Sequence, residues 1–193
     1  MPALVGTIRR WRVARRKLTL KGIVNSLVRP GSDAVQRVTD PDPTWTSWAA
    51  ERGLEYQHDG SEFEGGRYHE AVPDRRGVGE QCYGVVRGTW NDTPFAYFLR
   101  KTWRVGGRGG PAQTSGNLLI TLPGTPIPDL LRMSPAEAFK AAGGELPNTG
   151  VFEWRPPDLL FGHGRWLEPQ IVTGILQRIT AQLALAPAEL WQR

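Results

Sequence analysis

"EQCYGVVRGTW" and "PFAYFLRKTWR" flank Asn91–Asp92–Thr93. Two β-rich runs about a short Asn/Asp turn read as a long β-hairpin, which needs a sheet large enough to shelter both arms. In the first arm strict alternation sends Cys82, Val86 and Trp90 one way and Tyr83, Val85 and Thr89 the other. In the second, Phe95, Tyr97, Leu99 and Trp103 oppose Ala96, Phe98 and Arg100. Both arms carry apolar residues in both phases, so the sheet is expected to be partly buried on two sides. "NLLITL" (117–122) is apolar throughout and is expected as a central strand, after a loop over 105–116.

Helices punctuate this sheet. Pro43 opens one in which Trp45, Trp48 and Ala49 share a face, and Gly53 ends it. "LEYQ" reads as a short strand, and 58–79 as a Gly- and charge-rich loop with a brief strand near Arg67–Glu70. Ser134–Pro135–Ala136–Glu137 is a capping box, and its helix stops at Gly143–Gly144. "GVFEW" and "DLLFG" read as strands about Arg155–Pro156–Pro157. A long final helix places Ile171, Ile175, Leu176, Ile179 and Leu183 on one face and ends before Pro187. The fold class expected is α+β: an antiparallel sheet of about five strands covered by helices, with a basic amphipathic N-terminal helical extension. The domains expected are the extension (1–29), a linker (30–42) and one domain (43–193).

The charge is distributed unevenly. Of 24 basic residues, eight lie in residues 1–30 with no acid among them; the remaining sixteen face nineteen acids, a net of −3. In this head, Leu4, Ile8, Trp11, Ala14 and Leu18 share a helical face, while Arg9, Arg10, Arg12, Arg16 and Lys17 lie on the other sides. Arg15 interrupts the apolar face, and Lys21 adds a further charge before Gly22. The pattern implies two short helices, or one kinked at Gly22, closed by Pro30–Gly31. Charges every few positions exclude the ~20-residue apolar run of a membrane span, and equally the apolar core of a secretory signal. An Arg-rich, acid-free presequence matches the composition too. The reading preferred is an interfacial helix: Arg and Lys recruit anionic headgroups, and Trp11 with its apolar neighbours enters the acyl boundary. Nucleic acid is the alternative partner of the same segment, since a basic stripe without a motif serves either.

The order of elements over 43–186 resembles that of type III secretion chaperone-like domains, in which a curved antiparallel sheet covered by helices binds other chains without chemistry. "LPGTPIPDLLRMSPAE", after the central strand, also resembles a stretch of uncharacterised actinobacterial proteins that have a membrane-attached N-terminus. The first resemblance implies a binding fold and the second a bacterial protein held at a membrane.

Few residues suggest chemistry. The only cysteine, Cys82, excludes an internal disulfide and, in a strand-like run, reads as a small buried residue. His58, Asp59, Glu62, Glu64, His69 and Glu70 share one polar stretch without the tight spacing of a metal site, so a solvated loop is expected and no metal or cofactor. "FGHGRW" sets His163 between Gly162 and Gly164 beside Arg165, a turn that could receive a small ligand. Most of the eight tryptophans suit a core, and Trp191 is the one expected to be exposed or docked on a neighbour. The function expected is a non-enzymatic protein-binding or scaffold domain at the cytosolic face of a membrane. Its partners would be an anionic membrane surface, another protein, or a second copy of the chain. A nucleic-acid-associated protein is the first alternative, and a small-ligand enzyme around His163 the second.

Overall fold

Asn91 and Asp92 both take positive φ, 47° and 61°. A two-residue type I′ turn needs that pair of conformations, and Asn and Asp tolerate it better than most residues. In the computed structural model, residues 38–64, 78–104 and 111–192 are described. They belong to the unit Ser32–Arg193. The whole basic head, Leu4, Ile8, Arg9, Arg10, Trp11, Arg12, Arg15, Arg16, Lys17, Leu18 and Lys21, lies outside the described residues, as does the strand expected near Arg67–Glu70.

In chain order the elements are helix α1 (Pro43–Glu51) and strands β1 (Glu55–Asp59), β2 (Val78–Trp90), β3 (Thr93–Arg104) and β4 (Gln113–Thr121). A two-residue strand β5 (Thr125–Pro126) follows, then helices α2 (Pro128–Leu131) and α3 (Pro135–Ala141). Strands β6 (Val151–Arg155) and β7 (Asp158–His163), helix α4 (Pro169–Leu185) and the short strand β8 (Trp191–Gln192) complete the chain. Six strands form one antiparallel sheet in the order β1-β2-β3-β4-β7-β6, and β5 pairs with β8 in a separate ribbon. The fold is α+β, and β4 is central as its apolar run requires. It begins at Gln113, so residues expected as loop up to 116 are paired with β3 instead.

Apolar side chains fill both faces. On the first, Val86, Tyr97, Leu118, Ile120, Leu159 and Phe161 pack with Trp45 and Trp48 of α1, Phe139 of α3 and the buried stripe of α4. On the second, Cys82, Val85, Phe98, Leu119 and Leu160 cluster with Phe63, whose ring stacks on Phe98 at 4.3 Å. Burial of one such large side chain contributes about 1.5–3 kcal/mol. The second face also encloses an ion pair, Arg100 Nε to Glu80 Oε1 at 2.9 Å, with both side chains largely buried.

The alternation expected for β2 fails at one point. Gly84 sits at φ 61° in a β-bulge between Tyr83 and Val86, so that two residues of β2 oppose Phe98 alone. Tyr83 and Val86 therefore both face the helices, whereas Cys82 and Val85 share the second face. Two further expectations are corrected. Ile171 is 50% exposed, and Val172 occupies the buried stripe with Ile175, Leu176, Ile179 and Leu183. Val172 falls about 100° round from Ile171, close to the centre of that stripe. Trp191 is half-buried against the first core through its pairing with Pro126, and among the described residues Trp166 is the exposed indole, at 39%.

The helix signals hold. Asp42 caps α1, its side chain accepting from Thr44 N–H at 2.9 Å, and Gly53 beyond the helix has φ 65°. Both halves of the Ser134–Glu137 capping box are formed. Gly84 and Gly116 then separate two costs of adding a methyl group. At Gly84 a Cβ would touch only Leu99 at 3.7 Å and Tyr56 at 3.9 Å, so Gly84→Ala loses about 1 kcal/mol through the dihedral alone. At Gly116 it would meet the Tyr97 hydroxyl at 2.7 Å and the Arg165 carbonyl at 3.2 Å, and Gly116→Ala costs more. Denaturant titration of the two variants is expected to give that order with unchanged slope; the reverse order contradicts the bulge.

Candidate functional site

The turn singled out by sequence is a structural corner. His163 is the last residue of β7, and its Nδ1 donates to the Arg165 carbonyl at 3.3 Å. The same carbonyl accepts from Gly116 N–H at 3.0 Å, which fastens the turn to β4. Gly162 lies in the β7 ladder opposite Asn117 and Val151, and Gly164 faces open space. Arg165 is exposed at the surface of the turn. What the corner does is deliver Trp166 and Leu167, the next two residues, to the first face of the sheet.

The polar stretch that begins at the end of β1 disperses. His58 Nε2 donates to the Val38 carbonyl at 3.0 Å. Asp59 accepts from Ser61, Glu62 pairs with Arg87, and Glu64 Oε1 accepts from Cys82 N–H. Among the described residues no group of three His, Cys, Asp or Glu could hold a metal ion, and His69 and Glu70 lie outside them. Cys82 is 1% exposed, and burial pushes its thiol up to about 12.

One cavity brings aromatic and acidic groups together. It measures about 260 Å³ and opens beside α1 on the helix-covered face. Its floor is Leu99 and the bulge at Gly84, where the missing side chain leaves room beside the Tyr56 hydroxyl. Tyr56 of β1 and Tyr83 of β2 form one wall, Trp45 of α1 another, and Trp166 stands at the mouth. Val38, Asp40 and Asp42 close the remaining side.

Each wall has a local cause. Val38 is strapped to the sheet by Gln81, which donates from Nε2 to its carbonyl and accepts its N–H at Oε1, both at 3.1 Å. His58 adds a third bond to that carbonyl. Asp42 N–H donates to the Tyr56 hydroxyl at 3.2 Å, which ties the first turn of α1 to β1. Trp45 stacks on Tyr97 with ring centres 4.4 Å apart, and the Tyr97 hydroxyl accepts from Leu167 N–H at 3.4 Å. Trp166 is thus held at the mouth by the residue that follows it.

Two aspartates, Asp40 and Asp42, are among the residues that line the cavity. Burial raises the pKa of Tyr83; its hydrogen bond with Thr114 opposes this, and Asp42 and Tyr56 reinforce it. Burial also raises that of Tyr97, where the Leu167 N–H opposes and Tyr83 and Asp42 add. Asp42 is a minor contributor at both Tyr83, which lines the cavity, and Tyr97, which does not. Among the described residues, neither Lys nor Arg lines it.

None of these lining residues was singled out from sequence as part of a site. Asp40 and Asp42 fall in the stretch read as linker, Tyr56 and Tyr83 in strands, and Trp166 beyond the glycine-flanked histidine. Only Asp42 carried a local signal, an Asp directly before the Pro that opens a helix. No helix among the described residues is long and apolar enough to cross a membrane. Comparison with protein-family models, curated proteins and solved structures returned no match to this chain.

The raised thiol has a sign that can be checked. Below its ordinary value of 9.0, Cys82 is protonated in folded and unfolded chains alike. Above it the unfolded chain gains a thiolate that the folded chain does not, so stability falls as pH rises from about 9 towards 12. Cys82→Ala is expected to flatten that part of the alkaline stability profile. A wild-type thiol that reacts at pH 8 with an aromatic disulfide reagent as fast in the native state as in denaturant contradicts the burial.

Proposed function

We propose that the folded domain is a non-enzymatic recognition module for another polypeptide, held at the cytosolic face of a membrane by the basic N-terminal segment. The cavity beside α1 carries this reading. Its lining combines four aromatic side chains with two aspartates, and one of the four, Trp166, is 39% exposed. Aromatic rings supply contact area at small conformational cost and are enriched where proteins meet partners. A volume of about 260 Å³ admits one side chain, as an anchor pocket does, and falls below the several hundred Å³ that enclose a drug-sized ligand.

The charge segregation supports the tether. Eight basic residues without an acid precede a remainder of net −3, so an anionic surface attracts the head and repels the domain. Trp11, Leu4, Ile8 and Leu18 would supply the apolar burial that holds the segment once charge has recruited it. Nucleic acid is the second reading, favoured by the same basic run, and it would depend on charge and hardly on Trp11.

Two arms test the proposal on the full chain. In flotation, the wild type is expected to rise with anionic and not neutral vesicles, and Trp11→Ser to remain below. Shifting DNA or RNA at physiological salt while ignoring vesicles overturns the tether. With a photoactivated crosslinking residue at position 166, one discrete adduct with a second polypeptide is expected in cells, and none from position 151 on the opposite edge strand. Indiscriminate adducts from both positions overturn the recognition site.

A further inference from the structure

We infer that the cavity beside α1 is a socket for an arginine side chain of the partner polypeptide. This rests on reading the cavity as the recognition site, and it names the group that enters. Charge sets the sign: among the described residues, Asp40 and Asp42 line the cavity and no Lys or Arg does. An incoming carboxylate or phosphate would meet that field unfavourably, and a cation favourably.

The walls choose among cations. Tyr56, Tyr83 and Trp166 are among the lining residues, and a cation over an aromatic ring face gains from the ring quadrupole, most at Trp. Guanidinium suits such walls better than ammonium. It is planar, more weakly hydrated, and presents five donors that can reach carboxylate and hydroxyl oxygens together. The domain already places its own guanidinium groups in this way. Arg52 lies over the Trp48 ring at 5.1 Å, and Arg100 over Phe98 at 5.7 Å. Size then limits the occupant to a single side chain.

The Asp42 carboxylate has a second duty as the cap of α1. Asn caps a helix about as well as Asp, so Asp42→Asn removes the charge and keeps the helix start. Asp40 is exposed and outside any helix, so Asp40→Asn tests the same charge without risk to the cap.

The experiment titrates the full-length chain with N-acetyl-arginine N-methylamide, followed by NMR of the indole and tyrosine ring signals. The citrulline analogue, of the same shape without the charge, and the lysine analogue are titrated in parallel. Saturable shifts confined to Trp166, Tyr83 and Tyr56 are expected from the arginine probe, with the citrulline probe about tenfold weaker. Asp40→Asn and Asp42→Asn are each expected to weaken the arginine probe by about two- to fivefold, and added salt to weaken it further. Equal binding of the citrulline or lysine probe overturns the arginine assignment, as does the absence of any shift at the cavity. If position 166 still captures one polypeptide while the arginine probe shifts nothing, this inference falls and the recognition reading stands. If both fail, both fall.

Discussion

Gln81 meets both backbone groups of Val38, accepting its N–H and donating to its carbonyl. That bidentate contact, joined by His58 on the same carbonyl, brings residues 38–42 down onto β1 and β2. Each such bond contributes about 0.5–1.5 kcal/mol net, while ordering one backbone residue costs about 1–2 kcal/mol. Hydrogen bonds alone therefore do not hold the segment. Pro41 and Pro43 reduce the freedom it loses, and Trp45, buried just beyond, anchors its far end. Asp42 is held independently by its N–H bond to the Tyr56 hydroxyl and by capping α1, so the strap is what places Val38 and leads the chain past Asp40.

The bulge at Gly84 is the matching device on the sheet side. Its extra residue turns Tyr83 and Val86 to the same face, so that Tyr83 stands in the wall while Val86 stays in the core. The same step sends Cys82 and Val85 to the second face beside Phe98. A β-strand with strict alternation could serve one of these environments and not both.

Much of the scaffold was legible because its signals are local. Asn91–Asp92 marked the hairpin, Ser134–Glu137 the α3 cap, and the apolar run 117–122 the central strand. What was not legible depends on partners distant in sequence. Alternation cannot reveal that Gly84 takes positive φ, since a glycine in a strand reads the same whether bulged or regular. Ile171 scored as core because it is apolar and near the right phase, yet the sheet's position selects Val172 instead. The acids of the cavity looked like linker residues because Gln81 and Tyr56, whose hydrogen bonds hold Val38 and Asp42, lie in strands further along the chain. Histidines drew attention as chemistry-bearing residues. His58 and His163 both prove to be donors that fasten backbone, one at the strap and one at the corner leading to Trp166.

Hydrogen exchange at the Val38 amide tests the strap most directly. The N–H is bound to a carboxamide that is itself buried, so it is expected to exchange far more slowly than the neighbouring Thr39 amide, at the low-denaturant rate of a local opening. Gln81→Leu is expected to abolish that protection while leaving the β3 and β4 amides protected. A Val38 amide that exchanges at the free-peptide rate in the wild type, or one whose protection survives Gln81→Leu, contradicts the account of how this cavity is built.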